Sequence, residues 1–145
     1  MGIFSELREI LPKTTERVAK NTRSEDNRKI REMIERRIHE FADHPEDIPK
    51  RLDGLDREWD VERVLEANAA TLALVGTLLG FKDKRFLALP LLVAGFLLQH
   101  ALQGWCPPLP VLRRLGVRTE SEIMGERNSL KAMYDAFANL EARPH

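Results

Sequence analysis

Apolar positions recur at helical spacing along most of this chain, and the breaks between them outline its elements. Ile3, Phe4, Leu7, Ile10 and Leu11 predict a short amphipathic helix that Pro12 closes. It either docks on the rest of the protein or lies on a membrane surface. Thr14 to Arg23 is polar and supports no assignment. From Ser24, an N-cap residue with Glu25 and Asp26 behind it, the apolar stripe Ile30, Met33, Ile34, Ile38 and Phe41 opposes a face of Arg, Lys and Glu. That helix runs to about Ala42, where His44-Pro45 ends it. Asp43 to Asp56, broken by Pro45, Pro49 and Gly54, reads as a linker, and Asp56 caps the next helix. This helix then loses its charges and continues to Phe81. A second apolar helix begins near Phe86 or Ala88, with Pro90 in its first turn, and Gly104 with Pro107, Pro108 and Pro110 ends it. Thr119 and Glu122 have the spacing of a capping box, followed by the stripe Ile123, Leu130, Met133, Tyr134, Phe137 and Leu140. No strand alternation and no repeat is present, so the fold class is all-α.

The middle of the chain departs from the rest. Phe86 to Leu112 contains no Asp, Glu, Lys or Arg in a sequence that is 32% charged. Ala67 to Phe81 is a shorter uncharged run, and Lys82 to Arg85 separates the two. Asp60 to Phe81 gives about 33 Å of helix and Phe86 to Trp105 about 30 Å, which match a bilayer core. The pattern predicts a two-helix transmembrane hairpin flanked by N- and C-terminal amphipathic helices. Its boundaries are a charged helical region over 1–55, the hairpin over 56–106, and a Pro-rich turn with the last helix over 107–145. Trp59 and Trp105 fall at one end of the hairpin as interfacial anchors. Lys50, Arg51, Arg57, Arg63, Arg113, Arg114 and Arg118 flank that end, against Lys82, Lys84 and Arg85 at the loop, which places both termini in the cytoplasm. Ala69, Ala73, Gly76 and Gly80 form a small-residue face for close helix packing. Glu66 and Asn68 shorten the first apolar run, and a buried hairpin in a soluble helical bundle is the alternative.

Composition narrows the function classes. The 145 residues carry 23 basic and 23 acidic side chains, so no global field favours nucleic acid. The segment Met1 to Leu55 holds 12 of each, the mark of a solvated helical region. One cysteine, Cys106, excludes an internal disulfide and a multi-Cys metal site. The N-terminus has neither a secretory signal pattern nor, with Glu6 where Ser or Thr is needed, a myristoylation pattern. No phosphate loop, nucleophile elbow or metal-ligand spacing is present, and no cofactor is implied.

Folding the hairpin about Lys82 to Arg85 brings Glu66, Asn68, Gln99, His100 and Gln103 to one level just inside the Trp end. A Glu66–His100 pair there relays a proton or holds a ligand, or simply satisfies itself at headgroup depth. Cys106 is the candidate thiol, activated by Arg113 or Arg114, or else a small buried residue at the turn.

From Asp60 to Thr119 the chain resembles the YgaP-like inner-membrane family, a bacterial two-span module found alone or attached to rhodanese domains. The resemblance rests on Asp60 to Arg63, the two apolar helices, and GWCPPLPVLRRLGVRT, with Gly104, Cys106, Pro107, Gly116 and Thr119 at the matching positions. It covers about 60 residues and implies a self-associating membrane hairpin in the bacterial inner membrane, with sulfur handling as a further implication. The single cysteine leaves no separate rhodanese loop. The expected function is a membrane-anchored interaction or accessory module with no evident catalysis, its partners the lipid bilayer and a second copy or another membrane protein. A sulfur-transfer or thiol-redox protein using Cys106 is the alternative.

Overall fold

The computed structural model describes Glu6 and residues 9–142, and these are helical with no strand among them. In chain order the elements are α1 (Arg17–Lys20), α2 (Ser24–Asp43), a 3₁₀ turn (Pro45–Asp47), α3 (Ile48–Arg57) and α4 (Val61–Gly80). A second 3₁₀ turn (Lys84–Leu87) follows, then α5 (Ala88–Gln103), α6 (Leu109–Arg114) and α7 (Glu120–Glu141). The helix expected over Ile3 to Leu11 falls mostly outside the described residues; Glu9 and Ile10 are helical, and Ile10 is exposed.

Local chemistry sets these boundaries. The capping box of α7 is complete, with Thr119 Oγ accepting from the Glu122 amide and Glu122 accepting from the Thr119 amide. α2 begins at Ser24 itself, with Arg23 in the cap position and no side-chain cap. The expected linker over Asp43 to Asp56 is instead mostly helical. Pro49 sits in the first turn of α3, where its missing N–H costs no hydrogen bond. Ile48, Leu52 and Leu55, one turn apart, then bury against α7. Asp60, not Asp56, caps α4, accepting from the Arg63 amide at 2.9 Å, while Asp56 pairs with Arg127.

Two apolar clusters hold the non-hairpin helices together. Ile48, Leu55, Ile123 and Leu130 form one, with Ile38, Phe41 and Met133 against it. Val18, Val61, Leu65, Cys106 and Leu109 form the other, with Trp105 packed on it, and this cluster joins the base of the hairpin to α1 and α6. Beyond that base the hairpin buries little. Among the described residues, no large apolar side chain between Glu66 and Gln99 belongs to a core cluster. The two arms touch each other closely at the far end. A Cβ on Gly76 would stand 2.6 Å from the Pro90 ring, and one on Gly80 would stand 2.4 Å from Leu87. Gly76 and Gly80 thus seat the second arm of the same hairpin; Ala73 is half-buried.

Gly104 ends α5 in the left-handed region at φ +78°, against the backbone of α1. A Cβ there would lie 2.6 Å from the Arg17 carbonyl carbon. Gly104→Ala therefore combines a disfavoured φ with displacement of α1, and a loss of about 2 kcal/mol in stability is expected. Urea unfolding in detergent, followed by Trp fluorescence, measures it; an unchanged midpoint contradicts the contact.

Candidate functional site

The chemistry gathers where α1 crosses the base of the hairpin. Arg17 caps the C-terminus of α5, donating to the carbonyls of Ala101 at 2.6 Å and His100 at 3.3 Å. Its other terminal nitrogen donates to Glu62 Oε1 at 2.9 Å. Asn21, one turn on, donates to the Gln103 carbonyl at 2.8 Å. Glu62 Oε2 lies 2.9 Å from His100 Nε2. One carboxylate is thus shared between a guanidinium and an imidazole. His100 is only 2% exposed, and its Nδ1 has no hydrogen-bond partner. The Cys106 thiol sits beside the same ring, buried among Val18, Val61, Leu65 and Leu109.

The expected level of polar residues is present in part. The partner of His100 is Glu62, one turn before the expected Glu66, which is exposed. At the far end the arms keep the symmetric register, with Gly80 against Leu87 and Gly76 against Pro90. The change of partner therefore lies at the base, where Arg17 of α1 also binds Glu62 at 2.9 Å. Asn68 bonds its own helix at the Val64 carbonyl, Gln99 is half-buried, and Gln103 is exposed. Of the two tryptophans, Trp59 is half-exposed beneath the Arg63 guanidinium, 4.5 Å from the ring centre. Trp105 packs instead onto the core cluster.

A cleft of ≈ 370 Å³ opens between the two arms above His100. Leu65, Asn68, Ala69 and Leu72 of α4 and Val93, Phe96 and Leu97 of α5 line it, with Cys106, Pro107 and Pro108 at its base. On the other side of the pair lies a more polar hollow of ≈ 340 Å³, lined by Thr14, Thr15, Arg17, Glu62 and Ser121 among others. The imidazole thus borders an apolar cleft while its carboxylate partner borders a polar one.

Two buried arginines fix this base; the sequence pattern marks both only as charges flanking the hairpin, with Arg113 also beside the candidate thiol. Arg113, 1% exposed, chelates Glu122 through two bonds of 2.7 Å and also donates to Asn27, Thr22 and the Val117 carbonyl. Arg118, equally buried, binds both oxygens of Glu58 at 2.8 and 2.5 Å and also binds Glu126, which Arg51 reaches at 2.8 Å. The Arg118 carbonyl accepts the Val61 amide at 2.8 Å, so the first residue of α4 hangs from this network. Burial alone would raise the Glu122 carboxyl; the Arg113 guanidinium and the Thr119 cap outweigh it and hold it below the usual carboxylate range. A carboxyl with a lowered folded pKa adds stability above its unfolded pKa and loses it as pH falls through the folded value. Stability is therefore expected to drop with acid below about pH 4, the range where an unfolded Glu titrates. Glu122→Gln is expected to be less stable at pH 7 and to show a shallower acid loss, read from urea midpoints between pH 7 and 3.

Among the described residues, no group of three or more His, Cys, Asp and Glu side chains is placed to hold a metal. No protein-family model, curated protein or solved structure matches this chain.

Proposed function

We propose that this chain is a membrane-anchored accessory module, held by the hairpin and presenting its other helices at the cytoplasmic face of a bacterial inner membrane. The observation that carries the reading is the surface of the hairpin. Fourteen large apolar side chains between Leu72 and Leu102 are at least 38% exposed, from Leu79 and Leu97 at 38% to Phe81 at 85%. Leaving them in water costs on the order of 1 kcal/mol each, comparable in sum to the whole stability of a domain. A bilayer removes that cost. Lys84–Gln103 is long and apolar enough to cross a membrane, with 6% of its apolar window buried inside the protein. α4 falls short of the same measure because Glu62, Arg63, Glu66 and Asn68 occupy its first two turns. In the proposed arrangement those residues lie at headgroup depth with Trp59 and Arg63, while Lys82, Lys84 and Arg85 reach the opposite surface.

The resemblance of Asp60 to Thr119 to the YgaP-like family supports the same reading, including self-association. The soluble-bundle alternative needs other helices around the hairpin, and the other helices pack at its base instead. Cys106 is 4% exposed among apolar neighbours, which suits a packing residue better than a sulfur acceptor.

Topology reporters test the arrangement. Alkaline phosphatase inserted at Asp83 is expected to be active, and a fluorescent protein fused after the last residue is expected to fluoresce. An inactive phosphatase at the tip contradicts a spanning hairpin.

A further inference from the structure

We propose that α6 is a second membrane contact, an in-plane anchor whose outer face sits in the headgroup layer of the cytoplasmic leaflet, with Arg114 at the lipid phosphates. The helix is built inside out. Leu109 and Arg113 point inward at 0% and 1% exposure, so a charge is on the buried side. On the outer side Pro107, Pro108, Val111, Arg114 and Leu115 are exposed, Val111 at 60% and Leu115 at 75%. Val111 and Leu115 lie one turn apart and share their face with Arg114. Two large aliphatic side chains beside a cation suit a membrane interface better than water.

Depth identifies what covers this face. Leu109, and Cys106 just before the helix, pack on Val61 and Leu65 in the first two turns of α4. Just after the helix, the Arg118 carbonyl accepts the Val61 amide at 2.8 Å. α6 is thus pinned at both ends to the stretch of α4 that carries Glu62, Arg63 and Glu66, the residues assigned to headgroup depth. It cannot stand away from the bilayer while the hairpin spans it. Pro107 and Pro108 also form the base of the cleft between the arms, in line with Leu72 and Phe96. The exposed side of the segment therefore continues the surface assigned to lipid. Arg114 borders a small hollow with Lys29 and the buried Asp26. Lys29 pairs with Glu25 and Arg113 with Glu122, and among the described residues no carboxylate pairs with Arg114. Lipid phosphates at headgroup depth supply the opposite charge.

The anchor rests on the hairpin lying in lipid, so one experiment reads both. The full chain is reconstituted in vesicles of phosphatidylethanolamine and phosphatidylglycerol, with a nitroxide on Val111→Cys, Leu115→Cys or Leu92→Cys in turn. Cys106 is buried and stays in place, and the unsubstituted chain sets the labelling background. Collision rates with oxygen, which concentrates in lipid, and with a nickel chelate, which stays in water, give the depth of each label. The labels of Val111→Cys and Leu115→Cys are expected about 5–10 Å below the phosphates, and that of Leu92→Cys deeper. A nickel-exposed label in Leu92→Cys overturns the spanning hairpin and the anchor with it. A lipid-buried label there, with nickel-exposed labels in Val111→Cys and Leu115→Cys, overturns the anchor alone. Weak collision with both reagents in those two variants also overturns it, since a second copy or another protein then covers the face. Adding Arg114→Glu is expected to lift the Leu115→Cys label toward the phosphates, and an unchanged depth overturns the role of Arg114.

Discussion

Replacing Arg118 with methionine is expected to destabilise the protein by about 3–5 kcal/mol, because it leaves the buried Glu126 and the half-buried Glu58 with Arg51 alone between them. Arg118 is 1% exposed and Glu126 is fully buried. Arg118 binds Glu58 and Glu126 together, so removing it leaves Glu126 with Arg51 at 2.8 Å and a distant Arg37 at 4.0 Å. The expected loss is of the order of a whole domain's stability, and a fraction of the protein is expected to be unfolded on purification. Adding Glu126→Gln is expected to recover part of the loss, since it removes one of the stranded charges. Urea unfolding in detergent, read by Trp59 and Trp105 fluorescence, measures both variants. A shift under 1 kcal/mol for Arg118→Met would sink the claim that this network holds the base of the hairpin.

The second large effect concerns the hairpin surface. Leu92 lies near the middle of Lys84–Gln103 and is 59% exposed. In a bilayer, Leu92→Arg places a charge near mid-membrane at a cost of about 2.5–3.5 kcal/mol on insertion scales. That corresponds to roughly a hundredfold or greater fall in the insertion equilibrium. In water the same change at an exposed site is expected to be neutral or to improve solubility. The two environments thus give opposite signs, which makes the variant informative. Glycosylation mapping of the inserted fraction in microsomes, with Leu92→Ala as control, reads the effect.

How much of this was legible in the sequence follows from the range over which each feature acts. α2 and α7 were legible to within a residue or so of their ends because an apolar stripe specifies each, joined in α7 by a capping box, without reference to the rest of the chain. α3 was hidden because Pro49 and Gly54 read as breakers. Only its contact with α7 gives Ile48, Leu52 and Leu55 a reason to be helical. α1 is four residues long, too short for any periodicity, yet it supplies Arg17 to the site. Its signal was indirect, in Gly104, whose close approach to Arg17 leaves no room for a side chain. The pairing of His100 with Glu62 in place of Glu66 is set at the base, where Arg17 of α1 also holds Glu62, and a fold of the hairpin alone does not anticipate that third element. Arg51, Arg113 and Arg118 read as topology-setting charges, whereas in the fold each is bound to a carboxylate. Charge alone did not separate a lipid-facing arginine from a buried one. The small-residue face was visible as such, and the structure shows that Gly76 and Gly80 use it within the hairpin.

The central claim is that lipid covers the exposed hairpin, and fractionation with an alkaline carbonate wash tests it most directly. The expected result is that the full chain stays in the membrane pellet through the wash and is released only by detergent. Recovery of the folded chain in the soluble fraction without detergent would contradict it.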